Sequence, residues 1–432
     1  MTRTLILGGG LTGLVTAERL QAEGHQAVVL EKEATPGGAC RTEERGPYHF
    51  DYTGHLLHVA RDETREYLDQ LGVWSGLIEH DRRAAIHLGG AITPYPIQIH
   101  TWGLPPEIRR DCLLGFIEAW AAQRPEPADF SQWVLDRFGE GLGRHFFFPY
   151  NEKLFRTRSE ELSLDWVGRY VPKPDLKEVV DGALGLHDQA VGYNARFRYP
   201  IEGGIRRLAD AVAEKVSNLR LETEVVAVNL DERWVEMANG DRLPWDRMVA
   251  TLALPFLVDC VVGPVPEDVA AARRILRWVK VINVALGVRG PAPQAEHWFY
   301  FPEPEFPFYR VGFPSNHGRL APDGHHTVSI EVSLDPGAAV PENLAEEAEA
   351  SLTRIGLLKP ENIEKRLVTV INPAYVVFDH ERKAAVSCLR RFFSGHGVHL
   401  AGRWAEWKYS AMEDAILDGM AAARRSQVSG DR

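Results

Sequence analysis

Hydrophobic and polar positions change their period several times along the chain, and each change marks an element. Residues 4–7 form a short uninterrupted apolar run, as in a strand buried on both faces, and residues 14–22 repeat apolar positions at helical spacing. Residues 26–30 read as a second buried strand, so that with the glycine-rich turn at 8–13 the chain opens on a β-α-β unit. From 105 to 123 the period becomes helical: Leu113, Phe116, Ile117, Trp120 and Ala121 share one face behind Pro105 and Pro106. Helices are also predicted over 131–138 and 142–155, and the stretch to 193 reads as a helical insertion. Strand patterns return at 219–228 and 234–237, followed by an Asn239-Gly240 hairpin turn and a buried strand at 248–254. Residues 279–372 are mostly β, with candidate strands at 280–288, 308–313 and 327–334. A strand at 398–401 and a helix at 410–424 close the chain, with Ser410 and Glu413 at capping-box spacing.

The 432 residues carry 49 Lys+Arg against 60 Asp+Glu, a formal charge of −11. That surplus argues against non-specific nucleic-acid binding and leaves room for a local basic pocket. Cys40, Cys112, Cys260 and Cys388 are far apart and form no CxxC pair, which predicts reduced thiols in a cytoplasmic protein. No apolar run approaches the ~20 residues of a spanning helix, so no membrane span is expected. His55 and His58 lack a third ligand, and no metal site is expected. The 11 tryptophans read as core.

Chemistry begins at Gly8-x-Gly10-x-x-Gly13, inside the β-α-β unit. Gly8 permits the tight turn, Gly10 lets the backbone approach a pyrophosphate, and Gly13 lets helix and strand pack closely. The helix start offers free N–H groups and a positive dipole end. Glu31 ends the second strand where an acid holds the ribose hydroxyls of a dinucleotide, a choice that disfavours NADP. The stretch Pro36-Gly37-Gly38-Ala39-Cys40-Arg41-Thr42 resembles the second fingerprint of the FAD-dependent amine oxidase superfamily. Residues 248–254 before Pro255, and 398–401 before Gly402-Arg403, read as returns of the chain to the same domain. The expected class is therefore α/β. A Rossmann-like, glutathione-reductase-like FAD-binding domain comes from 1–90, 194–270 and 396–432, with a helical insertion at 91–193 and an antiparallel β-sheet substrate domain at 271–395.

A narrower set of motifs spans nearly the whole chain. It comprises Phe50-Asp51-Tyr52-Thr53-Gly54-His55, Tyr95-Pro96-Ile97-Gln98, Pro149-Tyr150-Asn151-Glu152-Lys153 and Asn194-Ala195-Arg196-Phe197-Arg198-Tyr199-Pro200 with Gly203-Gly204. Phe308-Tyr309-Arg310 and the closing run from Gly402-Arg403 to Tyr409 complete it. In order and spacing the set resembles the UDP-galactopyranose mutases, closest to their eukaryotic-type branch. The resemblance implies a redox-neutral pyranose–furanose exchange in which N5 of a reduced flavin attacks the sugar's anomeric carbon, with release and recapture of the nucleoside diphosphate. It implies FAD as cofactor, NADPH or NADH as possible reductant, and a nucleotide sugar, foremost a UDP-sugar, as substrate. A homodimer is left open.

The resemblance also distributes roles. His55, Arg310, Arg403, Tyr375 and Tyr409 are the implied catalytic residues, with Arg310 on the diphosphate, the two tyrosines as phenolic donors, and Arg403 near flavin and sugar. FAD contacts fall on Gly8, Gly10, Leu11, Thr12, Gly13, Glu31, Lys32, Gly38, Ala39, Gly54, His55, Val225, Gly402, Arg403 and Met412. Substrate contacts add Tyr95, Ile97 and Gln98 at the base, and Arg169, Asn194 and Tyr309. Three positions depart from the family: Ile97 replaces an aromatic residue, an expected second arginine falls at Arg169 rather than Tyr170, and Glu413-Asp414 replaces Asn-Gln. The competing reading is an FAD-dependent oxidase of the amine or protoporphyrinogen type, which wants an apolar or aromatic cage instead of arginines.

Overall fold

The opening β-α-β unit is the centre of a five-stranded parallel sheet in the computed structural model, which describes residues 3–125, 127–168, 171–186 and 195–428. Strand order is Val398–Leu400, Arg247–Ala250, Arg3–Leu7, Gln26–Leu30 and Leu219–Arg220. The chain thus returns to this sheet from distant positions, and Leu5 is in register with both Val28 and Met248. Both faces are covered, as a parallel sheet requires. Leu5, Leu7, Val28 and Leu30 enter one core with the helices Leu254–Asp259, Glu267–Ile275 and Arg382–Gly395. Ile6 and Val29 enter the other with Leu11–Ala22, Arg206–Ala213 and Met412–Val428. The first and last of these helices cross closely: a Cβ on Gly419 would lie 2.8 Å from the Thr12 carbonyl oxygen.

The second sheet has seven strands in the order Ile363–Val376, Trp278–Arg289, His325–Leu334, Arg310–Gly312, Trp298–Tyr300, Ala84–Leu88 and Ala91–Pro94. All neighbours are antiparallel except Trp298–Tyr300 beside Ala84–Leu88. Alternation gives it two distinct faces. Ile282, Val284 and Leu286 pair with Val332, Ile330 and Val328 and pack with the helix Leu344–Arg354. The intervening row Asn283, Glu331, Arg310 and Tyr300 runs in register across four strands on the opposite face. The helical stretch contributes Pro106–Ala122 and Phe130–Leu142, which approach at glycines: a Cβ on Gly139 would lie 2.0 Å from the Gly115 carbonyl oxygen.

Two expectations need correction, and one strand was not foreseen. The single strand at 219–228 is two strands in two sheets: Leu219–Arg220 joins the parallel sheet, and Val225–Asn229 pairs with Trp234–Met237. The 14-residue edge strand Ile363–Val376 is concealed in the sequence by Glu364, Lys365, Arg366 and Pro373, which an exposed edge tolerates. Ser410 and Glu413 form no capping box. Glu413 accepts from the amides of Ala60 and Arg61 (2.9 Å each), while Asp414 accepts from Ala411 (2.7 Å). Among the described residues no helix is long and apolar enough to cross a membrane.

Candidate functional site

Between the glycine-rich turn and the polar face of the large sheet lies a cavity of about 410 Å³. Its floor is two glycine turns in contact: Gly37 donates to the Gly9 carbonyl (2.8 Å), and a Cβ on Gly38 would sit 3.1 Å from Gly10 Cα. The three fingerprint glycines do different work. Gly8 has φ +103°, and a Cβ on Gly13 would lie 2.0 Å from the Gly8 carbonyl oxygen, so both are demanded by the protein's own packing. A Cβ on Gly10 would meet only Gly38 Cα, at 3.9 Å, and Gly10 lines the cavity. No side chain caps the helix that starts at Leu11, which leaves its first N–H groups to a ligand. Glu31, buried at the end of its strand, accepts from the amides of Gly9 (2.7 Å) and Glu33 (2.9 Å) and braces the turn.

The opposite wall carries cations and phenols. Arg403, at the start of the short helix Gly402–Ala405, lies 5.4 Å from the ring of Tyr375 and 5.0 Å from that of Tyr409, which are themselves nearly parallel at 19°. Its Nη1 and Nη2 donate to the carbonyls of Ser410 (3.1 Å) and Ala374 (3.0 Å). Arg310 is bound to Glu331, Nη2 reaching both carboxylate oxygens at 2.7 and 2.8 Å and Nε the first at 3.0 Å. Tyr309 also donates to Glu331, and the Gly54 amide approaches it at 3.4 Å. Arg82 lies 5.0 Å from the ring of Tyr95, which packs on Tyr300 with centroids 5.2 Å apart.

Burial sets the charge states. It pushes the His55 imidazole down to about 4, with the Thr53 carbonyl partly opposing and the arginines adding to the shift, so His55 is neutral at pH 7. His58 is lowered chiefly by burial too, and burial raises the Tyr95, Tyr300 and Tyr375 phenols, which stay protonated as donors. Burial is the largest influence and works against the Arg310 charge, but the Glu331 carboxylate together with the Tyr375, Tyr309 and Tyr150 phenols outweighs it and holds the guanidinium well above its usual value. Among the described residues the cavity is lined by three arginines, Arg82, Arg310 and Arg403, and by no carboxylate.

Most expected residues meet here. Gly10, Leu11, Thr12, Gly38, Ala39, Gly54, His55, Gly402, Arg403 and Met412 line the cavity, as do Tyr95, Arg310, Tyr375 and Tyr409. Lys32 and Val225 are not on the wall: the Lys32 ammonium is exposed beside Glu33, and Val225 pairs with Met237 in the three-stranded sheet. Ile97 and Gln98 are not on it either. They sit in a buried turn, 97–99, where Ile97 joins the helical core and the Gln98 amide donates to the Pro172 carbonyl (3.0 Å). Tyr309 packs into that same core with its hydroxyl on Glu331. Arg169, Tyr170 and Asn194 lie outside the described residues. Sequence reasoning missed Glu331, Arg82 and Tyr300. The signal for Glu331 was present: an acid in the middle of the predicted strand at 327–334 must find a cation or a solvent-facing position.

Two buried atoms on the wall, Nε of Arg403 and Oγ of Ser410, have no partner within the protein. Together with the glycine cradle and the uncapped helix start they fit FAD, whose pyrophosphate and ring system would lie along 10–12, 38–39, 54–55 and 402–412.

Residues 11–425 match the model of the flavin-containing amine oxidoreductases. The chain is 24% identical over 173 residues to dTDP-fucopyranose mutase of Escherichia coli, covering 38% of this chain and 44% of that protein. It is 22% identical over 257 residues to an L-amino-acid oxidase of Sistrurus catenatus edwardsii, covering 56% and 46%. The chain spans about half the length of the curated relatives it matches. A crystal structure of reduced UDP-galactopyranose mutase superposes with a TM-score of 0.93 at 25% identity, over 100% of this chain and 97% of that one.

Proposed function

The chain belongs to the flavin-containing amine oxidoreductases, and within that family we propose that it is a nucleotide-sugar mutase exchanging pyranose and furanose forms. The observation that carries this reading is the charge of the cavity wall: Arg82, Arg310 and Arg403 line it, while the Glu331 carboxylate paired with Arg310 lies off the wall. Such a wall attracts a diphosphate and repels an ammonium substrate, which counts against an amine oxidase. A reduced flavin, when bound, supplies a nucleophilic nitrogen. The chain's own residues supply position and charge. Arg310 and Arg403 hold the diphosphate oxygens as they leave the sugar, and Tyr375, kept protonated by burial, and Tyr409 donate to them. Tyr95 offers an aromatic face to the base, with Arg82 above it. Neutral His55 and the Thr53–Gly54 backbone close one side without adding a competing charge. Leu11 and Thr12 would hold the cofactor pyrophosphate with their amides, and Glu31, which braces the turn, would accept from its ribose.

Relatives named for UDP-galactopyranose and dTDP-fucopyranose support a nucleoside-diphosphate sugar, with a UDP-sugar as the first candidate. NADPH or NADH is the proposed source of reducing electrons. The test is anaerobic: the purified flavoprotein, reduced with dithionite, is mixed with UDP-galactofuranose, and in parallel with a panel of dTDP-sugars. Formation of an isomer of identical mass, only with the reduced protein, is expected. In a parallel aerobic assay of the oxidised protein, a dehydrogenated product with hydrogen peroxide from an amine or amino acid, together with no isomer from any nucleotide sugar in the anaerobic one, would replace the mutase by an oxidase.

A further inference from the structure

The motif Pro149-Tyr150-Asn151-Glu152-Lys153 has no role in the proposed reaction, yet its lysine is placed with unusual economy of partners. Lys153 is carried on the helix Phe148–Phe155, and its ammonium enters the loop 301–309 between the strands Trp298–Tyr300 and Arg310–Gly312. There Nζ donates to the carbonyls of Phe301 (2.8 Å), Phe306 (3.1 Å), Phe308 (3.3 Å) and Glu303. Among the described residues no carboxylate forms an ion pair with it within 4.0 Å.

The composition of the loop explains this arrangement. It reads Phe301-Pro302-Glu303-Pro304-Glu305-Phe306-Pro307-Phe308-Tyr309, and three of its nine residues have no N–H to offer. Three of the four caged carbonyls, those of Phe301, Glu303 and Phe306, immediately precede a proline. Such a loop has more acceptors than donors, and buried carbonyls need partners. One bond closes its neck, from the Phe301 amide to the Tyr309 carbonyl (2.9 Å). Phe301, Phe306 and Phe308 pack on one another beneath it, and the Glu303 carboxylate accepts from the Gly89 amide (2.9 Å) with His87 beside it. The next residue after the neck is Arg310.

We infer that Lys153 is the positioning residue for Arg310: its ammonium fills a ring of loop carbonyls as a bound monovalent cation would, and so fixes where the strand carrying the guanidinium begins. The cage is then a latent cation site, which a small alkylammonium occupies when the side chain is cut back. That the positioned guanidinium meets a diphosphate rests on the mutase reading; the dependence of the loop on a cation does not.

The experiment uses the flavin-loaded full chain with Lys153→Ala and Lys153→Met, each with and without ethylammonium. Amide hydrogen exchange over 298–312 and affinity for UDP are read in parallel. Lys153→Ala is expected to exchange faster over 301–312 while the parallel sheet stays protected. It should bind UDP about tenfold more weakly or worse, the worth of one charge-assisted contact. Ethylammonium should restore both readings in Lys153→Ala and neither in Lys153→Met, where a methylene chain fills the space without charge. Unchanged protection over 298–312 in both variants, or faster exchange that ethylammonium does not reverse in Lys153→Ala, overturns the cation cage. Restored protection with UDP affinity equal to wild type throughout overturns the link to Arg310. If the wild type itself binds no UDP while the exchange pattern follows expectation, the mutase reading falls and the cage stands.

Discussion

Arg310 and Glu331 face each other on neighbouring antiparallel strands as a direct register pair, with Arg310 Nη2 2.7 and 2.8 Å from the two carboxylate oxygens. The carboxylate is 2% exposed and the guanidinium side chain 19%. Glu331 therefore spends its charge on aiming Arg310, and the guanidinium reaches the cavity already oriented.

Removing one member of such a pair strands the other. Arg310→Ala leaves a buried carboxylate and should lower the unfolding free energy by ~3–5 kcal/mol while abolishing most turnover. Adding Glu331→Gln to it should recover much of the stability and none of the turnover. Urea unfolding and the isomerisation assay on the two variants check both statements. Stability that falls further in the double variant would contradict the pairing.

The fingerprint glycines should separate by phenotype. Gly10→Ala has space inside the protein and fills only the ligand's side of the turn, so it should unfold cooperatively near the wild-type midpoint yet purify without flavin. Gly13→Ala drives a methyl group against the Gly8 carbonyl and should cost at least ~1–3 kcal/mol whatever the ligand. Flavin absorbance and thermal melts of the two proteins make the comparison.

Asp51 gives a signed pH dependence. Thr42 (2.6 Å), Ile205 (3.2 Å) and Tyr199 all donate to its carboxylate, tying the 203–205 turn to the strand Tyr48–Asp51. Burial nevertheless outweighs these donors and raises its pKa to about 6. The folded value lies above the unfolded one of ~3.9, so this group's contribution to stability is complete below pH ~4 and is lost as pH rises through about 6. Asp51→Asn should therefore gain on the wild type between pH 4 and 7, by at most ~3 kcal/mol. Denaturation curves at a series of pH values measure the difference, and a flat difference would show the carboxylate titrating normally.

Arg403 is held by planarity. One guanidinium lies beside both the Tyr375 and Tyr409 rings and donates to two carbonyls from different segments. A lysine keeps the charge but cannot make this fork, so Arg403→Lys should lose ~10–100-fold in kcat/KM with the fold intact. Circular dichroism and steady-state kinetics on the reduced enzyme decide it.

Legibility in the sequence followed the range of the interactions. The β-α-β unit, its glycines and Glu31 lie within the first 31 residues, where short-range patterning and the demand for positive φ or close approach write directly into residue type. Long, strongly patterned strands such as Trp278–Arg289 were equally plain. Ile97 and Gln98 were misplaced for a related reason: adjacency to Tyr95 suggests a shared pocket, but a turn at 97–99 points them into the helical core.

The sequence by itself determined the dinucleotide-binding turn, the returns of the chain to one parallel sheet, and a family whose motifs span the chain, because each rests on local backbone requirements that few residue types satisfy. Only the tertiary structure decided which charges share the cavity. Glu331 comes to Arg310 through antiparallel register, Arg403 comes to Tyr375 from another sheet, and Lys153 enters a loop 148 residues later to answer carbonyls that prolines left unpaired. Such pairings depend on where burial makes an unmet charge or carbonyl costly, and burial is a property of the folded chain.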